Sequence, residues 1–244
     1  MSARITRRDD GGLCTLTLNR ADKLNALDTA AFEELDAHLA ELEGATDKIG
    51  CVVLRGAGRG FCAGADLNAM GKVPVPRDYK PGVVARLGAL PQPVVAAVHG
   101  VCFTGGLELA LACDFILADE TASFADTHGK FGLVGAWGMG QRLKRRIGEP
   151  AAKRMMMTAA RLNAVEAHTL GLVDVLAPPG QIDDFLAGFT GEILANSWHT
   201  NFAAKRMMRE TEGMGLAAGL AYEHEHYAGN APDHAERVAR FGKR

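Results

Sequence analysis

The chain has 244 residues, 48% hydrophobic and 23% charged, with 27 Lys and Arg set against 29 Asp and Glu for a net charge of −2. That length supports one sizeable core, or a main domain with an appendage. The near balance of charge argues against a general nucleic-acid binder, which carries a basic surplus. Met1-Ser2-Ala3-Arg4-Ile5 lacks the apolar core of a signal peptide, and no run approaches the ~18 apolar residues of a membrane span. Cys14, Cys51, Cys62, Cys102 and Cys113 lie in apolar contexts without paired metal spacing. Buried, reduced thiols in a cytoplasmic protein, and no bound metal, are the expectation.

Ile5–Arg8 and Cys14–Leu18, joined by Asp9-Asp10-Gly11-Gly12, read as a hairpin. Asp28 is placed to cap a helix whose apolar stripe is Phe32, Leu35, Leu39 and Leu42. The apolar run Cys51–Leu54 predicts a strand leading into the turn Phe61-Cys62-Ala63-Gly64-Ala65-Asp66-Leu67. Residues 68–82 collect Pro, Gly, Lys and Arg and read as a mobile loop near a site entrance. Pro91 and Pro93 precede a second strand, Val94–Val98, after which Thr104-Gly105-Gly106 opens a helix from about Gly106 to Cys113. Short strands follow at Phe115–Leu117 and Ala122–Phe124. The cations Arg142, Lys144, Arg145, Arg146, Lys153 and Arg154 read as a solvated helix face, with phosphate contact as the alternative. From about residue 180 the pattern is wholly helical, at Ile182–Leu194, Phe202–Thr211, Leu216–Ala228 and Asp233–Phe241. The organisation expected is therefore α/β, with a core over 1–180 and a helical region over 181–244 that serves assembly and site closure.

The two glycine turns carry the chemistry. Each follows an apolar strand, and glycine there lets backbone N–H groups approach a ligand without a side chain in the way. Side by side, two such turns aim two donors at one oxygen, with Glu108 one helical turn further on. That is an oxyanion hole beside a carboxylate. Other signals are weaker. Gly56-Ala57-Gly58-Arg59-Gly60 does not meet the dinucleotide-binding order. No serine sits in a nucleophile elbow, and the eight histidines show no metal-binding pattern. Cys62 borders the first turn, where a packed thiol is the better reading than a nucleophile.

Asn19-Arg20-Ala21-Asp22-Lys23-Leu24-Asn25-Ala26-Leu27, Phe61–Leu67, Gly105–Ala110, Cys113-Asp114, Ser123-Phe124-Ala125, Gln141-Arg142-Leu143 and Ala164–Val173 follow in order at familiar spacing. Over roughly residues 13–176 this resembles the crotonase superfamily of enoyl-CoA hydratases and isomerases. The resemblance implies a spiral of β-β-α units with a C-terminal helical region, assembled as a homotrimer or a dimer of trimers. It implies an acyl-CoA thioester as substrate, with no further cofactor because coenzyme A is part of that substrate. The oxyanion donors would be the backbone N–H groups of Ala65 and Gly105. Lys23, Ala26, Ala63, Asp66 and Leu67 fall where the family surrounds coenzyme A. Tyr227 and Lys243 fall loosely where family tails approach a neighbour's coenzyme A.

Glu108 occupies the position of one of the two glutamates with which family hydratases hold and split a water molecule. The position of the second carries His128, in Ala125-Asp126-Thr127-His128-Gly129. Histidine can act as acid or base near neutral pH, with Asp126 orienting it only if the segment is extended. The alternative is an imidazole that merely lines the pocket or turns away. Trp137 and Met139 replace smaller family residues and either shape the acyl pocket or pack beneath the following helix. The resemblance implies an enoyl-CoA hydratase acting through Glu108 and His128. A double-bond isomerase and a non-catalytic acyl-CoA-binding homologue are the alternatives.

Overall fold

The computed structural model describes residues 3–241, so Lys243 lies outside the described residues. The elements run β1 (Ile5–Asp10), β2 (Leu13–Leu18), α1 (Thr29–Glu43), β3 (Cys51–Gly56), α2 (Tyr79–Ala89), β4 (Val94–Val98), β5 (Val101–Phe103), α3 (Gly105–Ala112), β6 (Phe115–Asp119) and β7 (Ser123–Ala125). They continue with α4 (Met139–Ile147), α5 (Glu149–Thr158), β8 (Arg161–Asn163), α6 (Ala164–Thr169), β9 (Val175–Ala177), α7 (Ile182–Ala195), α8 (Trp198–Glu210), α9 (Leu216–Glu225) and α10 (His234–Phe241).

A six-stranded sheet has the order β1-β2-β3-β4-β6-β9, and a three-stranded sheet the order β5-β7-β8. The hairpin β1-β2 is antiparallel, whereas every other pairing in the large sheet is parallel. Successive turns of chain give one strand to each sheet: β4 then β5, β6 then β7. After β3, an isolated bridge from Cys62 to Cys102 places the first glycine turn against β5. The result is the expected spiral of β-β-α units. Gly100 makes the corner between β4 and β5 with φ +55, where a Cβ would lie 2.2 Å from Arg59 O. Only glycine fits that corner.

Period-two patterning explains the layers. Val52 and Leu54 of β3, with Val94, Ala96 and Val98 of β4, join the main core shared with Phe32, Leu35 and Leu39 of α1. The intervening Cys51, Val53, Val95 and Ala97 face a second cluster closed by Ile182, Leu186 and Phe189 of α7. Both faces of the parallel strands are thus covered, which is why they read as unbroken apolar runs.

α1 begins as expected, with the Asp28 side chain accepting from Ala31 N at 2.9 Å. The hairpin is longer than expected and turns on Gly11-Gly12 alone. Residues 79–82, expected within a loop, form the first turn of α2. β7 lies one residue later than expected. α8 starts four residues early because Ser197 caps it and Trp198 rests against Gly12 of the hairpin and Gly50 before β3.

Candidate functional site

The first glycine turn is held by Asn25, which has φ +58 and is buried. Its Nδ2 donates to Ala57 O, Gly60 O and Phe61 O at 2.9, 2.8 and 3.1 Å, while its Oδ1 accepts from Arg20 N at 2.9 Å. The Asn19–Leu27 segment is therefore a latch on the turn. Gly64 adopts φ +105, and a Cβ on it would lie 3.3 Å from Gly105 N and 3.1 Å from Phe103 O. The two glycine turns are in van der Waals contact. Gly106 packs so closely on the first turn that a Cβ would lie 2.4 Å from Cys62 O.

Thr104, just before α3, has φ +51 and ψ −114, an unusual conformation for a β-branched residue. Thr104 N donates to Ala125 O at 2.9 Å, and its hydroxyl lies 2.7 Å from that of Thr127. Gly105 N is the first N–H of α3 and has no intrahelical acceptor. Among the described residues, neither it nor Ala65 N donates to a protein acceptor. Two free donors therefore sit on adjacent turns, one at the positive end of a helix dipole.

Glu108 is 1% exposed on the wholly buried helix α3. Its Oε1 accepts from Trp137 N at 2.8 Å and Met139 N at 3.1 Å. Burial pushes the Glu108 carboxyl above the usual carboxylate range, against the opposing pull of those two N–H donors and of the His128 charge. The other oxygen, Oε2, lies 3.9 Å from His128 Nε2. On the far side of the ring, His128 Nδ1 lies 2.6 Å from Asp126 Oδ1, which also accepts from His128 N at 3.0 Å. A carboxylate only accepts, so Nδ1 carries its proton and Nε2 faces Glu108. Burial pulls the imidazole down; the hydrogen bond to Asp126 and the charges of Asp126 and Glu108 outweigh it and raise the His128 pKa. The sequence argument demanded an extended segment for this contact. Instead, Asp126 directly follows β7 and His128 begins a short 3-10 turn over 128–131, so the side chain folds back onto its own turn.

These groups line a cavity of about 630 Å3. Ala63, Ala65, Leu67, Gly105, Glu108 and His128 all lie on its wall, together with Trp137, Arg77 and Lys80. Of the other predicted residues, Lys23 is exposed on the 3-10 turn Ala21–Lys23, and Ala26 follows on the latch, its carbonyl accepting from Arg20 Nη1 at 2.5 Å. The Asp66 carboxylate turns to Arg20 Nη2 at 2.9 Å. Trp137 does both things the sequence left open: it lines the cavity and packs edge-on against Phe32, ring centroids 4.9 Å apart. Met139 is buried and lends its N–H to Glu108. Cys62 is wholly buried, and burial pushes its thiol up to about 12, which removes it as a nucleophile. Among the described residues, no group of three or more His, Cys, Asp or Glu side chains is placed to hold a metal ion, and no helix is long and apolar enough to cross a membrane.

The sequence profile described as enoyl-CoA hydratase/isomerase matches residues 8–238. The chain belongs to the enoyl-CoA hydratase/isomerase family. Within this family, the chain is 29% identical over 241 residues to the "probable enoyl-CoA hydratase 1, peroxisomal" of Arabidopsis thaliana, covering 96% of this chain and 91% of the relative. It is 35% identical over 230 residues to the 2,3-dehydroadipyl-CoA hydratase of Escherichia coli (strain K12), covering 92% and 89%. The crystal structure of an enoyl-CoA hydratase from Bacillus anthracis superposes with a TM-score of 0.91 at 30% identity, over 98% of this chain and 96% of that one. The fold is the crotonase fold, with the family's parallel sheet and C-terminal helices.

Against this family background, two structural supports escaped the sequence reading. Arg142 donates to Trp137 O at 2.7 Å and so fixes the loop whose N–H groups hold Glu108. Arg20 ties Asp66 to Asp28 and closes the latch. A cation inside each quoted motif was the available signal, but only the folded chain shows its acceptor.

Proposed function

We propose that the protein is an enoyl-CoA hydratase that adds water across the 2,3 double bond of a 2-enoyl-CoA thioester. The observation that carries this reading is the pair Glu108 Oε2 and His128 Nε2, 3.9 Å apart on the wall of a cavity shared with two free N–H donors. That separation lets one water molecule touch both groups.

The thioester oxygen sits between Ala65 N–H and Gly105 N–H. As water attacks C3, the π electrons move through C2 to that oxygen, and preorganised donors stabilise the enolate more than the ground state. The pair holds one proton between Glu108 and His128. The unprotonated member takes a proton from the attacking water, the oxygen forms its bond to C3, and the protonated member gives its proton to C2. The two then re-equilibrate, so the cycle closes without an added reagent. Anchoring of Glu108 Oε1 by two backbone N–H groups and of His128 Nδ1 by Asp126 keeps both reactive atoms aimed at the same water.

Lys23, Ala26 and Asp66 form the approach for the nucleotide end of coenzyme A, and Ala63 and Leu67 line its pantetheine. The assembly is a homotrimer or a dimer of trimers, supported by α8, α9 and α10, none of which buries a residue within the chain. A cytoplasmic setting is supported by five buried thiols, all unpaired.

A single carboxylate on the cavity wall also favours a second reading, a Δ3-Δ2 isomerase in which Glu108 alone carries one proton between carbons. Purified protein with crotonyl-CoA separates the two. Loss of the conjugated enoyl-thioester absorbance supports hydration. Untouched crotonyl-CoA, with a 3-enoyl-CoA gaining conjugation, makes it an isomerase. Tight acyl-CoA binding with neither reaction leaves a binding protein.

A further inference from the structure

Lys80 and Arg77 stand on the wall of this cavity together with Met70, Phe131, Val134 and Trp137. Lys80 is half-buried, and its Nζ lies 5.5 Å from the centroid of Phe32, the ring that packs against Trp137. Trp137 in turn covers Gly105, where a Cβ would lie 2.4 Å from its Cζ3. From the oxyanion donor the contacts therefore run from Gly105 to Trp137 on the cavity wall, to the core residue Phe32 behind it, and on to Lys80, which lines the cavity again. An ammonium group and an indole thus share the cavity that holds the oxyanion donor.

That cation stands against the local rules. Lys80 is the second residue of α2 and Arg77 precedes it, so both sit at the positive end of the helix, where cations are unfavourable. Asp78, the residue at the N-cap, makes no capping hydrogen bond. Asp36 and Glu43 of α1 are taken by Arg86, at 2.8 and 2.6 Å. Among the described residues, neither Lys80 nor Arg77 has an ion-pair or hydrogen-bond partner. Arg77 is exposed, but Lys80 is half-buried without a counter-ion on a mostly apolar wall, a feature kept at a cost to stability and the usual mark of a ligand contact.

We infer that the acyl end of this cavity takes a negatively charged terminus, so that the preferred substrates are 2-enedioyl thioesters carrying a free carboxylate at the end remote from sulfur. The inference rests on the reading of the cavity as an acyl-thioester site. A phosphate of coenzyme A is the other anion that could meet these cations, and the test separates the two.

Binding of saturated dioyl-CoA thioesters of four, five and six carbons is measured by calorimetry on the full chain, against neutral acyl-CoA thioesters of the same lengths. The wild type should bind the best-fitting dioyl member about 10-fold more tightly than its neutral counterpart, as expected for one charge-assisted contact. Lys80→Met should bring that ratio close to one, and Lys80→Arg should keep it. The same ratio should persist in N-acetylcysteamine thioesters, which carry no phosphate. Equal or weaker binding of every dioyl thioester overturns the inference. So does a Lys80→Met variant that weakens both CoA series alike while leaving the cysteamine series unchanged, since the cation would then hold a coenzyme A phosphate. Because the readout is affinity for unreactive thioesters, it stands or falls separately from hydration: failure to turn over neutral and dioyl 2-enoyl-CoA alike would overturn the proposed reaction instead.

Discussion

At the scale of single residues, the reading turns on how one proton is shared between a buried carboxyl and an imidazole. Burial raises the Glu108 carboxyl, while Asp126 and Glu108 together keep a proton on His128. Activity therefore falls at low pH, when both members are protonated, and at high pH, when neither is. Asp126→Asn removes one of the charges that favour the imidazolium. The basic limb of the kcat/KM profile should move to lower pH while the acyl-CoA affinity changes little. An unmoved basic limb would show that Asp126 only braces the turn. His128 itself was visible in the sequence as a departure from the expected glutamate, but its direction was not. That direction depends on Asp126 Oδ1 accepting from both the backbone and the ring of a residue two positions on, a local turn that periodicity does not encode.

At the scale of elements, the site is the contact between two glycine turns. Gly106→Ala drives a Cβ to within 2.4 Å of a backbone carbonyl that cannot rotate away. It should lower stability by about 1–3 kcal/mol, read as a shifted denaturant midpoint; an unchanged midpoint would mean the turns are not packed together. Asn25→Ala leaves three carbonyls, those of Ala57 and Gly60 leading into the first turn and of Phe61 at its start, without their donor. A loss of about 2 kcal/mol or more is expected, with kcat falling alongside because Ala65 rides on that turn; an intact kcat would uncouple the latch from the site. The strands and helices with strong periodicity were readable: α1 with its cap, β4, α3 and α7. The short strands β5 and β8, three residues each, were not. Val101–Phe103 lies between the Gly100 corner and the Thr104 turn, so it reads as loop and becomes a strand only through pairing with β7. The start of α2 was hidden for a related reason, since Pro74, Pro76, Pro81 and the cations around them carry no helical periodicity and read as loop.

At the scale of the whole molecule, the ordered resemblance across the glycine turns fixed fold and ligand class together, because the same turns shape the spiral and carry the donors. The tail was legible as helices but not in its packing. Only the structure shows α7 closing the second face of the sheet and Trp198 resting on the hairpin. Beyond them Leu216 and Phe241 remain 80% and 81% exposed. Light scattering on the eluting peak of a sizing column should give three or six times the chain mass of 25.9 kDa; a monomer would leave these helices without the proposed partner. The most direct test of the central reading is the steady-state hydration of crotonyl-CoA by Glu108→Gln. Glutamine keeps the acceptor that Trp137 and Met139 hold, so the cavity and thioester affinity should persist, while kcat falls roughly 100-fold to 10,000-fold. Wild-type turnover in this variant would contradict the proposed Glu108–His128 proton pair.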